Sequence, residues 1–175
     1  MRQEYVEEQI SLLGRVAEFW RLTSIQAGVN VGQWTLGPWS DELGVSLDSD
    51  DPEISYYITK KSDGYLLQVR SRAEVRPTTL FGNYADAVKL VSLTLGSEFR
   101  RSFHWRSLYD IWSDDVPVGI VKSVRENGLA RYFLGVDPSR FVETSWKGPQ
   151  QSRLLLLTID ELHEVILTPP SVVDE

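Results

Sequence analysis

Apolar residues mark out three helices along the chain. Val6, Ile10, Leu13, Ala17 and Trp20 recur at four-three-four-three spacing, which draws one stripe down a helix over residues 3–20. Tyr5, Leu12, Val16 and Phe19 widen the stripe, so much of this helix is predicted to be covered. Glu4, Glu7 and Glu8 place negative charge in its first turn, where the helix dipole favours it. A second helix is predicted over 84–100, from Tyr84, Val88, Val91 and Leu95, with Asn83 as its N-cap and Asp86 three residues on. Thr158, Ile159, Asp160 and Glu161 form a capping-box pattern that opens a last short helix to Leu167. Pro169 and Pro170 stop it, and 169–175 reads as a loose tail.

Between the helices the period drops to two. Residues 54–60 and 65–71 are β-branched and aromatic, and Ser62-Asp63-Gly64 between them is a hairpin turn. Residues 45–47 read as a third strand of the same meander. A second hairpin is predicted from 118–124 and 129–136 around an Asn-Gly turn, and 153–157 reads as a short buried strand. Residues 103–112 fit strand or helix equally. The stretch 28–39 holds Gly28, Gly32 and Gly37 with Asn30 and Pro38, so it is predicted as loop or irregular hairpin, yet it carries Trp34 and Trp39. The fold class that follows is α+β: an antiparallel sheet built from hairpins, with an N-terminal, a middle and a short C-terminal helix packed on it.

Length and composition narrow the class. The 175 residues match one domain, 1–175, large enough to bury roughly 70% of its unfolded surface without a disulfide or metal staple. There is no cysteine, and the acidic, polar start of the chain is unlike a secretory signal. The longest purely apolar run, 154–157, is far too short to span a bilayer. These features predict a soluble protein of the reducing cytoplasm that engages neither membrane nor nucleic acid. The net charge of −7, with basic residues spread evenly, leaves no basic half to meet phosphates. The acids do cluster: Asp41, Glu42, Asp48, Asp50, Asp51 and Glu53 stand together with no Lys or Arg among them. That segment is either a solvated loop or a patch that steers a basic partner.

Catalytic patterns are scarce. Residues 28–32 lack the third glycine and the Lys-Ser/Thr pair of a phosphate loop, and there is no nucleophile elbow. His104 and His163 are the only histidines, so no spacing gathers metal ligands; no metal, cofactor or catalytic residue is predicted. Asp50-Asp51 and Asp114-Asp115 are adjacent pairs whose side chains point apart, and a hydrolase using two scattered carboxylates stays open as the enzyme alternative. The compositional excess is aromatic. Six tryptophans are present, and Trp34, Trp39, Trp105, Trp112 and Trp146 fall near loops or element ends, where core and interface roles compete.

Residues 28–34, 57–65, 84–88 and 128–133 together resemble the immunity proteins that protect actinobacteria from their own polymorphic toxins, most nearly the mycobacterial antitoxins of the tuberculosis necrotizing toxin type, whose target is an NAD+ glycohydrolase. The resemblance implies a non-catalytic inhibitor that forms a one-to-one complex with a cognate toxin domain and occludes its active site in the producing cell. A non-catalytic adaptor for another protein is the alternative. Loop composition and charge give the candidate toxin-binding set: Asn30, Gly32, Gln33, Trp34 and Trp39, with Asp48, Asp50 and Asp51 supplying attraction to a basic partner.

Overall fold

In the strand Ile54–Lys61 (β3), Tyr56 and Ile58 face one way and Ser55, Tyr57 and Thr59 the other. That alternation sets the register. Ile58 pairs with Val45 and Leu67, and Tyr56 with Leu47 and Val69, so one apolar row after another faces the helices. The computed structural model describes residues 2–30, 32–40, 44–50, 54–72, 74–126 and 128–170.

Eight strands form one antiparallel sheet. Trp34–Leu36 (β1), Val45–Ser49 (β2), β3, Gly64–Ser71 (β4) and Glu74–Phe81 (β5) run as a meander. Ile120–Val124 (β6), Ala130–Leu134 (β7) and Asp137–Thr144 (β8) form a second meander, joined through β8 to β5. The spatial order is β1-β2-β3-β4-β5-β8-β7-β6, which leaves β1 and β6 as the edges. Arg2–Ala27 (α1) packs on β1 and β2, and Tyr84–Ser102 (α2) packs on β3, β4 and β5. Leu108–Ile111 (α3), Gly148–Ser152 (α4) and Ile159–Leu167 (α5) complete the helices, with α5 against α2. This is the α+β arrangement that the hairpins and helix patterns predict.

Three differences have local causes. The apolar run 153–157 is no strand: Arg153–Leu155 is a 3-10 turn that continues α4. Leu154 and Leu155, neighbours in sequence, are both buried, as a tight helical turn permits and a one-sided strand does not. Strands β5 and β8 carry no clean alternation, because Pro77 falls beside a register shift in β5 and β8 opens with Asp137-Pro138-Ser139-Arg140. Within the ambiguous stretch 103–112 the chain forms α3, capped by the Ser107 hydroxyl accepting from the Tyr109 amide. The caps of α2 and α5 are as predicted: Asn83 accepts from the Ala85 amide, and Thr158 and Glu161 close a reciprocal capping box.

Buried polar groups tie the layers together. Asp86, almost fully buried, accepts from Lys89 Nζ at 2.6 Å and from Arg140 Nη2 at 2.7 Å, and Lys89 also donates to the Leu154 carbonyl. Burial, the largest effect on Lys89, lowers its pKa, and the Asp86 carboxylate opposes that shift. Arg100 donates to the Ile166 and Thr168 carbonyls at 2.9 Å, capping the C-terminus of α5 from the end of α2. Among the described residues no helix is long and apolar enough to cross a membrane.

Candidate partner-binding edge

The segment after α1 is shaped by two turns. Gly28, at φ 68°, ends the helix in a Schellman motif: its amide donates to the Ile25 carbonyl and the Val29 amide to that of Ser24. Asn30 then folds its side-chain oxygen onto the Gly32 amide at 2.9 Å, and Gly32 takes φ 80°. A side chain at Gly32 would also press on Asp50 Oδ1, at 3.2 Å from an added Cβ. The chain leaves this turn straight into β1, and the Asp50 amide donates to the Gln33 carbonyl at 2.8 Å.

Pairing then settles where the other predicted residues go. Trp34 lies opposite Ser49 and Thr35 opposite Asp48, so the end of β2, with Asp48 and the following Asp50, backs the glycine-turned loop directly. Asn30 and Gln33 are exposed. Trp34 faces the helix side and is half-buried, its ring 5.3 Å from that of Tyr56. Asp48 points to the opposite face, where its carboxylate accepts from Ser46 Oγ at 3.2 Å. Gly37 makes room for that pair, since a Cβ there would lie 2.6 Å from Asp48 Oδ2. The structure thus joins Asn30, Gly32, Gln33, Trp34, Asp48 and Asp50 in one edge. Trp39 is separate, half-buried against the main core beyond the end of β1. Asp51 lies outside the described residues, as do Asp41, Glu42 and Glu53.

Two neighbours of the loop were not singled out by pattern. Arg21, Ser24 and Ile25 of α1 line a hollow of about 180 Å³ with Asn30, Gly32 and Gln33, and Ile25 is 64% exposed. Glu98, Arg101 and Ser102 of α2 line a second hollow with Asn30. The signal for Ile25 lies in its spacing. It falls off the 6-10-13-17-20 stripe, and an apolar residue on a helix's wet side merits scrutiny.

Reactive side chains sit elsewhere. Ser92 Oγ lies 2.7 Å from His163 Nε2, the spacing of a serine–histidine pair, but Ser92 is fully buried and also accepts from the Trp20 indole at 2.9 Å. His104 is exposed. Asp114 and Asp115 are exposed on a turn, Asp114 receiving the Gln150 amide and Asp115 the Ser113 hydroxyl. Among the described residues no cluster of His, Asp or Glu is arranged to hold a metal.

No family model matches the chain, and no curated protein matches it. Among solved structures it is similar to Rv3902c from M. tuberculosis, with a TM-score of 0.66 and 12% identity over 88% of this chain and 87% of that one. At that identity the likeness is one of fold: a mycobacterial protein shares nearly the whole architecture.

Proposed function

We propose that this chain is an immunity protein: it binds a cognate toxin enzyme one-to-one, by our reading an NAD+ glycohydrolase, and blocks its active site in the cytoplasm of the producing cell. The chain acts as a single non-catalytic domain. The observation that carries the reading is the β1 edge. There an exposed Gln33 is held by the Asn30–Gly32 turn and by its own carbonyl's bond to Asp50, with carboxylates on the strand behind. Such a loop is pre-organised, so little ordering entropy is lost when it enters a cleft. The Gln33 amide donates and accepts where the carboxamide of a nicotinamide ligand would sit, Ile25 offers apolar surface alongside, and Asp48 and Asp50 attract a basic rim. The sequence resemblance to actinobacterial immunity proteins supports the same class; the likeness to the mycobacterial structure is one of fold alone.

The test is coexpression with the toxin domain encoded beside it, followed by complex isolation and an NAD+ consumption assay. A one-to-one complex with NAD+ cleavage abolished is the expected result. Gln33→Ala should then weaken inhibition by about tenfold or more, a loss of about 1.4 kcal/mol. Trp34→Ala is less clean, because Trp34 also packs on Tyr56. Unchanged inhibition by Gln33→Ala moves the interface away from this edge; absence of any complex removes the immunity reading.

An adaptor role is the competing reading, and one observation favours it. Val118 and Val136, 98% and 95% exposed, flank the hydrogen bond from the Gly135 amide to the Gly119 carbonyl, beside β6 and β7 at the edge of the sheet opposite β1. Retention of toxin binding in a Val118→Asp, Val136→Asp double variant excludes that patch from the toxin interface.

A further inference from the structure

Between α2 and the sheet lies a cleft of about 1060 Å³, the size of a small-molecule site. Its floor is Tyr56 of β3, Leu67 and Val69 of β4 and Thr79 of β5. Thr94, Ser97 and Glu98 of α2 form one wall; Trp105, Tyr109 and Trp146 form the other. A gap lined by hydroxyls and charges does not stay dry, whereas empty cavities in proteins are apolar.

Three features narrow the occupant. The first is a set of flat surfaces. Trp146 is 58% exposed although its backbone is fixed: its amide donates to Thr144 Oγ1, and its carbonyl accepts from Thr144 Oγ1 and Gln151 Nε2. Its ring stands 5.0 Å from that of Tyr109, leaving the indole as a rigid platform at the mouth. The second is charge. The cleft carries two carboxylates and two guanidiniums, so its charges balance; Arg101 pairs with Glu98 at 2.7 Å, and Arg106 donates to the backbone carbonyl of Asp110 at 2.9 Å. An ionic ligand therefore meets no net counter-charge. The third is hydrogen-bonding capacity. The Tyr56 and Tyr109 hydroxyls make no hydrogen bond to another described residue, and burial holds both phenols neutral far above physiological pH.

We propose that this cleft binds an uncharged small molecule in which a planar ring is joined to a hydroxyl-bearing group, the chemistry of a nucleoside. The ring stacks on Trp146 and Tyr109, and the polar edge meets the two phenols, while Thr94, Ser97 and Thr79, whose protons go to the Leu90 and Leu93 carbonyls and to Gln151 Oε1, present acceptor oxygens. The site adjoins the β1 edge through Tyr56 and the end of α2, and the proposal does not depend on the immunity reading.

The test titrates the full-length, nitrogen-15-labelled protein with adenosine, guanosine, cytidine and uridine, following the tryptophan indole N–H signals. At least one nucleoside is expected to shift the Trp105 and Trp146 signals saturably, with Trp20, bonded to Ser92 in the core, unmoved. Trp146→Ala, a change at an exposed side chain, is expected to weaken binding about tenfold, read at Trp105. Tyr109→Phe, which deletes one hydroxyl, is expected to weaken it severalfold. The proposal is overturned by any of four results: no nucleoside moves these signals, ribose alone moves them equally, the monophosphates bind more tightly than the nucleosides, or binding survives Trp146→Ala unchanged. Shifts seen only when a partner protein is added would likewise overturn it in favour of a protein contact.

Discussion

Lowering the pH from 7.5 to 5 should destabilise this protein through one side chain, His163. Its ring is buried, stacked on Phe19 of α1 at 3.7 Å and edge-on to Trp20. Ser92 of α2 accepts the Trp20 indole N–H, so its own proton is free to point at His163 Nε2. The chain Trp20 to Ser92 to His163 therefore uses the neutral imidazole as final acceptor. Protonation would charge a ring among aromatic neighbours and remove that acceptor. Burial accordingly lowers the pKa from 6.5 to about 4, against a smaller opposing pull from Asp160, the charged group that acts on it. The folded pKa is depressed, so between about pH 6.5 and pH 4 the unfolded chain binds the proton and the folded chain does not. Stability is then fully present above pH 6.5 and falls as the pH descends through that window. At 1.36 kcal/mol per unit, about 2 kcal/mol should be lost by pH 5, a sizeable share of a typical domain's stability. Glu18, Asp137 and Glu161 also have lowered pKa values, but their losses begin below their ordinary values of 4.5, 3.8 and 4.5, outside the range tested. Urea unfolding at pH 7.5, 6.5, 5.5 and 5 measures the slope for the wild type and for His163→Gln, whose amide oxygen can still accept from Ser92. The variant should be less stable at pH 7.5 and nearly flat across the window. An equal slope in the two proteins would refute this account of His163.

Two further predictions concern packing. Asp86→Ala should cost about 3–5 kcal/mol in urea unfolding, because it leaves the buried Lys89 ammonium with only the Leu154 carbonyl and strips Arg140 of its carboxylate. A loss below about 1 kcal/mol would mean that water replaces the carboxylate. Gly96→Ala should destabilise by about 1–3 kcal/mol, since the added Cβ would lie 2.7 Å from Ile166 and 2.8 Å from Trp20 at the meeting of α1, α2 and α5. Thermal melting would show the drop, and an unchanged midpoint would refute that close approach.

What the sequence made legible follows from how far each residue's role is local. The stripe ending at Trp20 foretold α1 because helix periodicity is written in neighbouring residues, and the turn at 62–64 foretold the β3–β4 hairpin for the same reason. Strand β8 was not legible. Its partners β5 and β7 lie on either side in space, and Arg131 and Glu143 find each other across the strands at 2.8 Å without any local pattern. Four leucines at 154–157 could not announce a helical turn, since a short apolar run has no period to read. The loop 28–39 was visible through its glycines, and its docking against Asp48 and Asp50 was not, because an edge pairing depends on register. For the same reason the sequence left core and interface roles open for Trp34. Its neighbours along the chain are flexible types, but the ring it leans on, Tyr56, comes from a strand two places away in the sheet.

The β1 edge and the cleft touch at two places, which decides how they can be told apart: Tyr56 of the cleft floor has its ring 5.3 Å from that of Trp34, and the end of α2 borders both. Glu98 and Arg101 line both the cleft and the hollow beneath Asn30, and they sit on the last turns of α2. That end of α2 is held by Arg100, whose guanidinium is committed to the carbonyls of Arg106, Ile166 and Thr168. A variant at Glu98 or Arg101 therefore changes both surfaces at once. Gln33 and Trp146 do not share this ambiguity. The strands they adjoin, β1 after Gln33 and β8 before Trp146, are five positions apart across the sheet, roughly 24 Å at the usual spacing. Effects of substitutions so far apart add when the sites are independent. If Gln33→Ala abolishes toxin inhibition while nucleoside binding stays intact, and Trp146→Ala does the reverse, the two surfaces work separately. If either variant disturbs both, the coupling runs through the Glu98–Arg101 pair or the Trp34–Tyr56 contact, and by linkage ligand in the cleft must change toxin affinity by the same factor that toxin changes ligand affinity.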